Sequence, residues 1–166
     1  MLYKLVEELD KVLDFTRAKA HCDIPCGIYD PIKAQLAALS VVRMLDLMHD
    51  LAATHKEQDV EFLNTMTRLV HVKEEHAEEC KREIRVIWGD YIKDKHLTEF
   101  PELSQLVHKI MELGSKTRQT ADRQTGLALV DAVNEFATIF WKTKGISTKK
   151  AKAPYSPGLE LVYPEL

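Results

Sequence analysis

Only three cysteines occur in the 166 residues, an odd count at low density, so the chain has no disulfide framework of the secreted kind. A reducing, cytoplasmic compartment is the expectation that follows. There is also no excess of positive charge: the formal net charge is -3. Nucleic-acid binders carry a basic patch or stripe, and that partner class is set aside. No apolar run approaches the roughly 18 to 20 residues of a membrane span, so no membrane partner is expected. Strand-like alternation and internal repeats are absent as well, which points away from a sheet-based core.

The first twenty residues, MLYKLVEELDKVLDFTRAKA, end in Ala18-Lys19-Ala20, the small-x-small form of an export cleavage site. An export signal needs an unbroken apolar centre, and here Glu7, Glu8, Asp10, Lys11 and Asp14 interrupt it, so Sec export is not expected. What the segment does carry is one apolar stripe at helical spacing, Leu2, Leu5, Val6, Leu9, Val12 and Leu13. Residues 1–20 are expected to form an amphipathic helix.

Further along, helical periodicity dominates. Asp30 and Pro31 read as the cap and first position of a helix through Leu36, Leu39, Met44, Met48 and Leu51. After HKEQD, a second helix runs through Phe62, Met66, Leu69, Ala77, Cys80 and Ile84 to a stop near Gly89. Pro101 opens a third, ended by Gly114, and SKTRQTADRQTG reads as the following loop. A fourth carries Leu129, Val133, Phe136, Phe140 and Trp141 and stops at Gly145. The expected fold is all-α, with residues 32–145 a four-helix bundle. The tail, 146–166, holds three prolines and is expected to be extended, docking if at all by Tyr155, Leu159, Leu161, Val162 and Tyr163.

Between the N-terminal segment and the bundle lies HCDIPCGIYDP, residues 21–31, which spends two of the three cysteines beside a histidine. Alone, Cys-x-x-x-Cys is a weak signal, equally the mark of two surface thiols in an ordered turn. Cleavage after Ala20 changes its chemistry, because His21 would then carry a free amine that is a good neutral donor near pH 8. That amine, the Cys22 amide nitrogen and the Cys22 and Cys26 thiolates can close an N2S2 square plane, a geometry that marks Ni(II) or Cu(II). The His21 imidazole remains available as an axial ligand.

HCDIPCGIYDP resembles the nickel hook at the mature N-terminus of the nickel superoxide dismutases, and VIWGDYIKDKHLTEFPELSQLV (86–107) and IFWKTK (139–144) resemble later segments of that family in the same order. The resemblance implies a cytoplasmic homohexamer of four-helix bundles, made as a precursor whose N-terminal propeptide, here 1–20, a maturation peptidase removes. It implies disproportionation of superoxide, the substrate, to oxygen and hydrogen peroxide by Ni(II)/Ni(III) cycling. The implied ligands of the nickel ion are the amine and imidazole of His21, the amide and thiolate of Cys22 and the thiolate of Cys26. Asp23 and Tyr29 would support the hook and shape access, Tyr91 would stand just outside the ligands, and Ile24-Pro25 would be cis.

The chain also departs from that family's pattern. A Glu and an Arg that steady the hook imidazole there are matched by Ala37 and His76 here, which leaves His76, from a neighbouring subunit, or Glu75 to take over. HVKEEHAEE (71–79) contains no Glu-x-x-His and reads as a charged face instead of a carboxylate-bridged metal site. Cys80, at an apolar helical position, reads as a buried structural thiol. Two other functions compete with the enzyme: an unprocessed protein that stores or senses nickel or copper, and a helical assembly protein whose turn happens to carry thiols. The fate of the Ala20-His21 bond separates them.

Overall fold

The structure is a computed structural model and describes residues 26–55 and 57–166. Four long helices carry the fold: α1 (Ile32–Thr54), α2 (Val60–Val86), α4 (Leu103–Gln119) and α5 (Arg123–Thr143). One π-helical turn (Ile87–Tyr91) and a short helix, α3 (Asp94–Glu99), connect α2 to α4. The chain closes with an antiparallel pair, β1 (Thr148–Lys152) and β2 (Glu160–Pro164). Both α1 and α4 pack against α2 and α5, so the four make the expected bundle around a core that includes Leu39, Val42, Ile84, Ile110, Leu129 and Phe136. The expected helix over 1–20 lies outside the described residues.

Local signals set most helix starts. The Asp30 carboxylate accepts the Ile32 N–H at 2.8 Å and the Pro31 carbonyl takes the first helical bond from Gln35, so α1 begins within one residue of where Asp-Pro places it. Asp59 caps α2 by accepting the Phe62 N–H at 2.8 Å, a bond that holds its carboxyl below the usual range. Asp122 accepts from the Thr125 hydroxyl and from the N–H groups of Gln124 and Thr125, with the same consequence for its carboxyl.

Two glycines expected at a helix end and in a loop, Gly114 and Gly126, lie inside helices instead. Gly114 lies inside α4, which continues to Gln119, and a Cβ there would stand 2.7 Å from Lys81 Cγ; the missing side chain makes room for a lysine of α2. Past it, Lys73, almost wholly buried, donates to the Arg118 and Thr120 carbonyls at 3.1 and 2.7 Å and so satisfies the end of α4; burial pulls its ammonium pKa down. Gly126 lies inside α5, where a Cβ would come 2.9 Å from Leu45 Cδ1 of α1. The expected loop over 115–126 therefore shrinks to Thr120–Asp122, between the end of α4 and the start of α5. The expected stop near Gly89 is also displaced, because the π turn carries the helical path on to Tyr91.

The tail is extended as expected, but it is paired and docked, a β addition to an otherwise α fold. Gln35 of α1 donates to Asn134 Oδ1 at 3.0 Å and to the Val162 carbonyl at 2.9 Å. Asn134 of α5 donates to the Glu160 carbonyl and accepts the Val162 N–H at 3.1 Å. Two buried amides thus occupy backbone groups of β2, while Leu161 and Val162 are buried beside them.

Candidate metal centre

Immediately before α1 the chain reverses at Gly27, whose φ of +69° is one that side-chain-bearing residues rarely adopt. The reversal aims the Ile28 N–H at Cys26 Sγ, 3.5 Å away. A backbone donor on sulfur suits a thiolate, the form in which cysteine binds metal. Cys26 is exposed and opens onto a cavity of about 260 Å³ between the start of α1 and the end of α2, lined by Ile28, Tyr29, Lys33, Glu83 and Ile87 among others.

Tyr29 is half-buried, and its ring stands 5.7 Å from that of Tyr91. Tyr91 is fixed from several directions. Its hydroxyl lies 2.7 Å from Thr143 Oγ1; because Thr143 spends its own proton on the Phe140 carbonyl, Tyr91 donates. Its ring stacks on His96 at 5.2 Å and lies under the Lys144 ammonium at 4.7 Å. His96 is buried and accepts the Lys93 N–H at Nδ1, and burial lowers its pKa. Tyr29 lines the cavity, and Tyr91 is in ring contact with it without being among the lining residues.

His76 is not among the cavity residues. It is half-buried on α2, with Nδ1 3.1 Å from Glu79, and Glu75 pairs with His71 at 3.2 Å. These pairs set His71, Glu75, His76 and Glu79 on a charged face, while Lys73 of the same run is buried against the end of α4. Ala37 is buried in the core and offers no polar atom beyond its backbone. His21, Cys22 and Asp23, with the Ile24-Pro25 bond expected to be cis, lie outside the described residues.

Sequence reading missed the two charged side chains that line the cavity from the helices, Lys33 and Glu83. Lys33 follows Pro31 by two residues, and Glu83 sits among alternating charges on α2; only the packing of α1 on α2 distinguishes them from their neighbours.

The donor chemistry fits a thiolate-binding metal such as nickel. Cys26 presents its sulfur at the surface, whereas Cys80 is fully enclosed and its thiol is pushed up to about 12 by burial. Among the described residues no group of three His, Cys, Asp or Glu side chains could hold a metal. Nor is any described helix long and apolar enough to cross a membrane.

The family model for nickel-containing superoxide dismutase matches residues 16–144. The chain is 36% identical over 125 residues to a nickel superoxide dismutase of Streptomyces coelicolor, covering 75% of this chain and 88% of that protein. With the nickel superoxide dismutase of Streptomyces seoulensis it shares 36% identity over 128 residues, 77% of this chain and 91% of that one. Its fold is similar to the native nickel superoxide dismutase structure at a TM-score of 0.65 and 36% identity, covering 75% of this chain and 99% of that one. The apo structure of a nickel superoxide dismutase matches at a TM-score of 0.63 and 34% identity, over 72% and 99% of the two chains.

Proposed function

From the premise that the chain belongs to the nickel-containing superoxide dismutase family, oxidoreductases whose cofactor is a nickel ion, we propose that it disproportionates superoxide to oxygen and hydrogen peroxide once the segment before His21 is removed. The observation that carries this reading is the Cys26 sulfur, presented at a glycine reversal beside a cavity and five residues after a histidine. Removal of residues 1–20 would give His21 a free amine that is a good donor near neutral pH. The His21 amine and imidazole, the Cys22 amide and thiolate, and the Cys26 thiolate would then hold the metal. The chemistry nickel supplies when bound is a one-electron Ni(II)/Ni(III) couple.

The remaining residues shape access. Tyr29 lines the cavity and would limit how long peroxide stays near thiolates, which are themselves oxidisable. Tyr91, held by Thr143, His96 and Lys144, would brace Tyr29 from behind. Asp23 would support the turn of the hook. His76 is not among the residues lining its own chain's cavity, and it would serve the hook imidazole of a neighbouring subunit in the proposed cytoplasmic homohexamer.

A nickel-loaded chain beginning at His21 should remove superoxide in a stopped-flow assay, and the uncleaved chain should not. Equal turnover by the uncleaved chain would refute the role of processing. Nickel binding without turnover in either form would favour the unprocessed storage or sensing protein. Sedimentation at micromolar concentration checks the assembly: a stable monomer contradicts it.

A further inference from the structure

Away from Cys26, a second cavity of about 610 Å³ lies where three stretches of chain meet: α1, the start of α5, and the turn between β1 and β2 that carries Ser156. That volume is within the range of small-molecule sites, roughly 300 to 1,000 Å³. Part of its polar lining is already engaged. Arg123 grips Asp46 with two nitrogens, Nε on Oδ1 at 2.6 Å and Nη2 on Oδ2 at 3.4 Å, so this pair answers its own charge and fixes the wall between α1 and α5. His49 donates from Nε2 to the Ala121 carbonyl at 2.9 Å.

Two charges on the lining are left over. Among the described residues neither the Arg43 guanidinium nor the Asp50 carboxylate has a hydrogen bond or an ion pair, and Arg43 is partly buried. They are seven residues apart on the face of α1 that lines the cavity, about 10 Å along the helix axis. Their opposite signs decide what fits. A purely anionic molecule held by Arg43 would meet Asp50 further along, and a purely cationic one held by Asp50 would meet Arg43. A molecule carrying both charges answers both groups and leaves the Arg123–Asp46 pair intact. The spacing suits charges several bonds apart better than the single carbon of an α-amino acid, and the planar guanidinium fork favours a carboxylate at its end.

We propose that this cavity binds a linear dipolar molecule of the ω-amino-acid class, its carboxylate on Arg43 and its ammonium on Asp50. The turn that forms one side of the cavity lies beyond residues 16–144, which match the nickel-containing superoxide dismutase family. None of the cavity's residues lines the Cys26 cavity, so the proposal stands apart from the metal chemistry.

Isothermal titration calorimetry of the full chain tests it with ε-aminocaproate and its singly charged analogues, caproate and hexylammonium. ε-Aminocaproate should bind at one site per chain, about tenfold or more tightly than either analogue, and Arg43→Gln or Asp50→Asn should each weaken it by about the same factor. Arg43→Lys, which keeps the charge without the fork, should fall between Gln and wild type and serves if Arg43→Gln does not fold. Circular dichroism melting separates lost binding from lost structure. Caproate binding as tightly as ε-aminocaproate, or undiminished binding in folded Asp50→Asn, would overturn the dipolar assignment. Absence of saturable binding at millimolar ε-aminocaproate would overturn the site itself, and neither result bears on nickel binding or superoxide turnover.

Discussion

Cys26 and Cys80 are the same residue in two unlike surroundings. Cys26 stands at the surface on a glycine reversal, with a backbone N–H on its sulfur and a cavity beside it. Cys80 stands in the middle of α2 with no exposure, among core residues of the bundle, and burial lifts its pKa to about 12. A thiol serves as a ligand when its charged form is accessible and as packing when that form is suppressed. The difference extends to the regions around them: Cys26 belongs to the segment ahead of α1, beside an open cavity, and Cys80 to the closed core of the bundle.

The sharpest way to break this contrast is to exchange the roles. Cys26→Ser should abolish nickel binding and superoxide turnover, while Cys80→Ala should keep both and cost about 1–2 kcal/mol of stability by leaving a small cavity; nickel stoichiometry and denaturant unfolding read the two outcomes. Alkylation of the metal-free protein near pH 8 should differ almost as much, with Cys26 modified in the folded state and Cys80 only on unfolding, as peptide mapping would show. Rapid modification of Cys80 in folded protein would undo the distinction.

A smaller effect probes the contact between the bundle and its tail. Asn134→Ala leaves the Gln35 amide, the Val162 N–H and the Glu160 carbonyl short of partners, at about 1–3 kcal/mol for each group that finds no water. The loss should appear as faster amide exchange in β2 before α1 is affected. The smallest concerns pH. Cys80 keeps its proton in the fold up to about 12, whereas the unfolded thiol ionises near 9, so its contribution is complete below pH 9 and lost as pH rises toward 12. Wild type should therefore lose stability more steeply than Cys80→Ala across that window, and parallel curves would contradict the burial account.

What was legible in the sequence was local. Asp30-Pro31 marks the start of α1 because both signals act within two residues, and the apolar spacing through Cys80 and Ile84 places those side chains in the core. What was not legible depends on partners distant in the chain. Gly114 looks like a helix end and Gly126 like the last residue of a loop, but the atoms that require glycine there belong to Lys81 and Leu45. The hairpin shows no alternation strong enough to be read from its own residues, and it is held by Gln35 and Asn134, from two separate helices. Glu83 is one charge among many on α2 until α1 encloses it beside Cys26. HCDIPCGIYDP gathers the expected donors in one contiguous run, and its first five residues lie outside those described.

The central claim is that a nickel site is made at a newly exposed N-terminus. Native mass spectrometry of the protein purified from its own host tests it most directly. The account predicts a chain that begins at His21 and carries a single nickel ion; a full-length chain holding nickel, or a processed chain holding none, would contradict it.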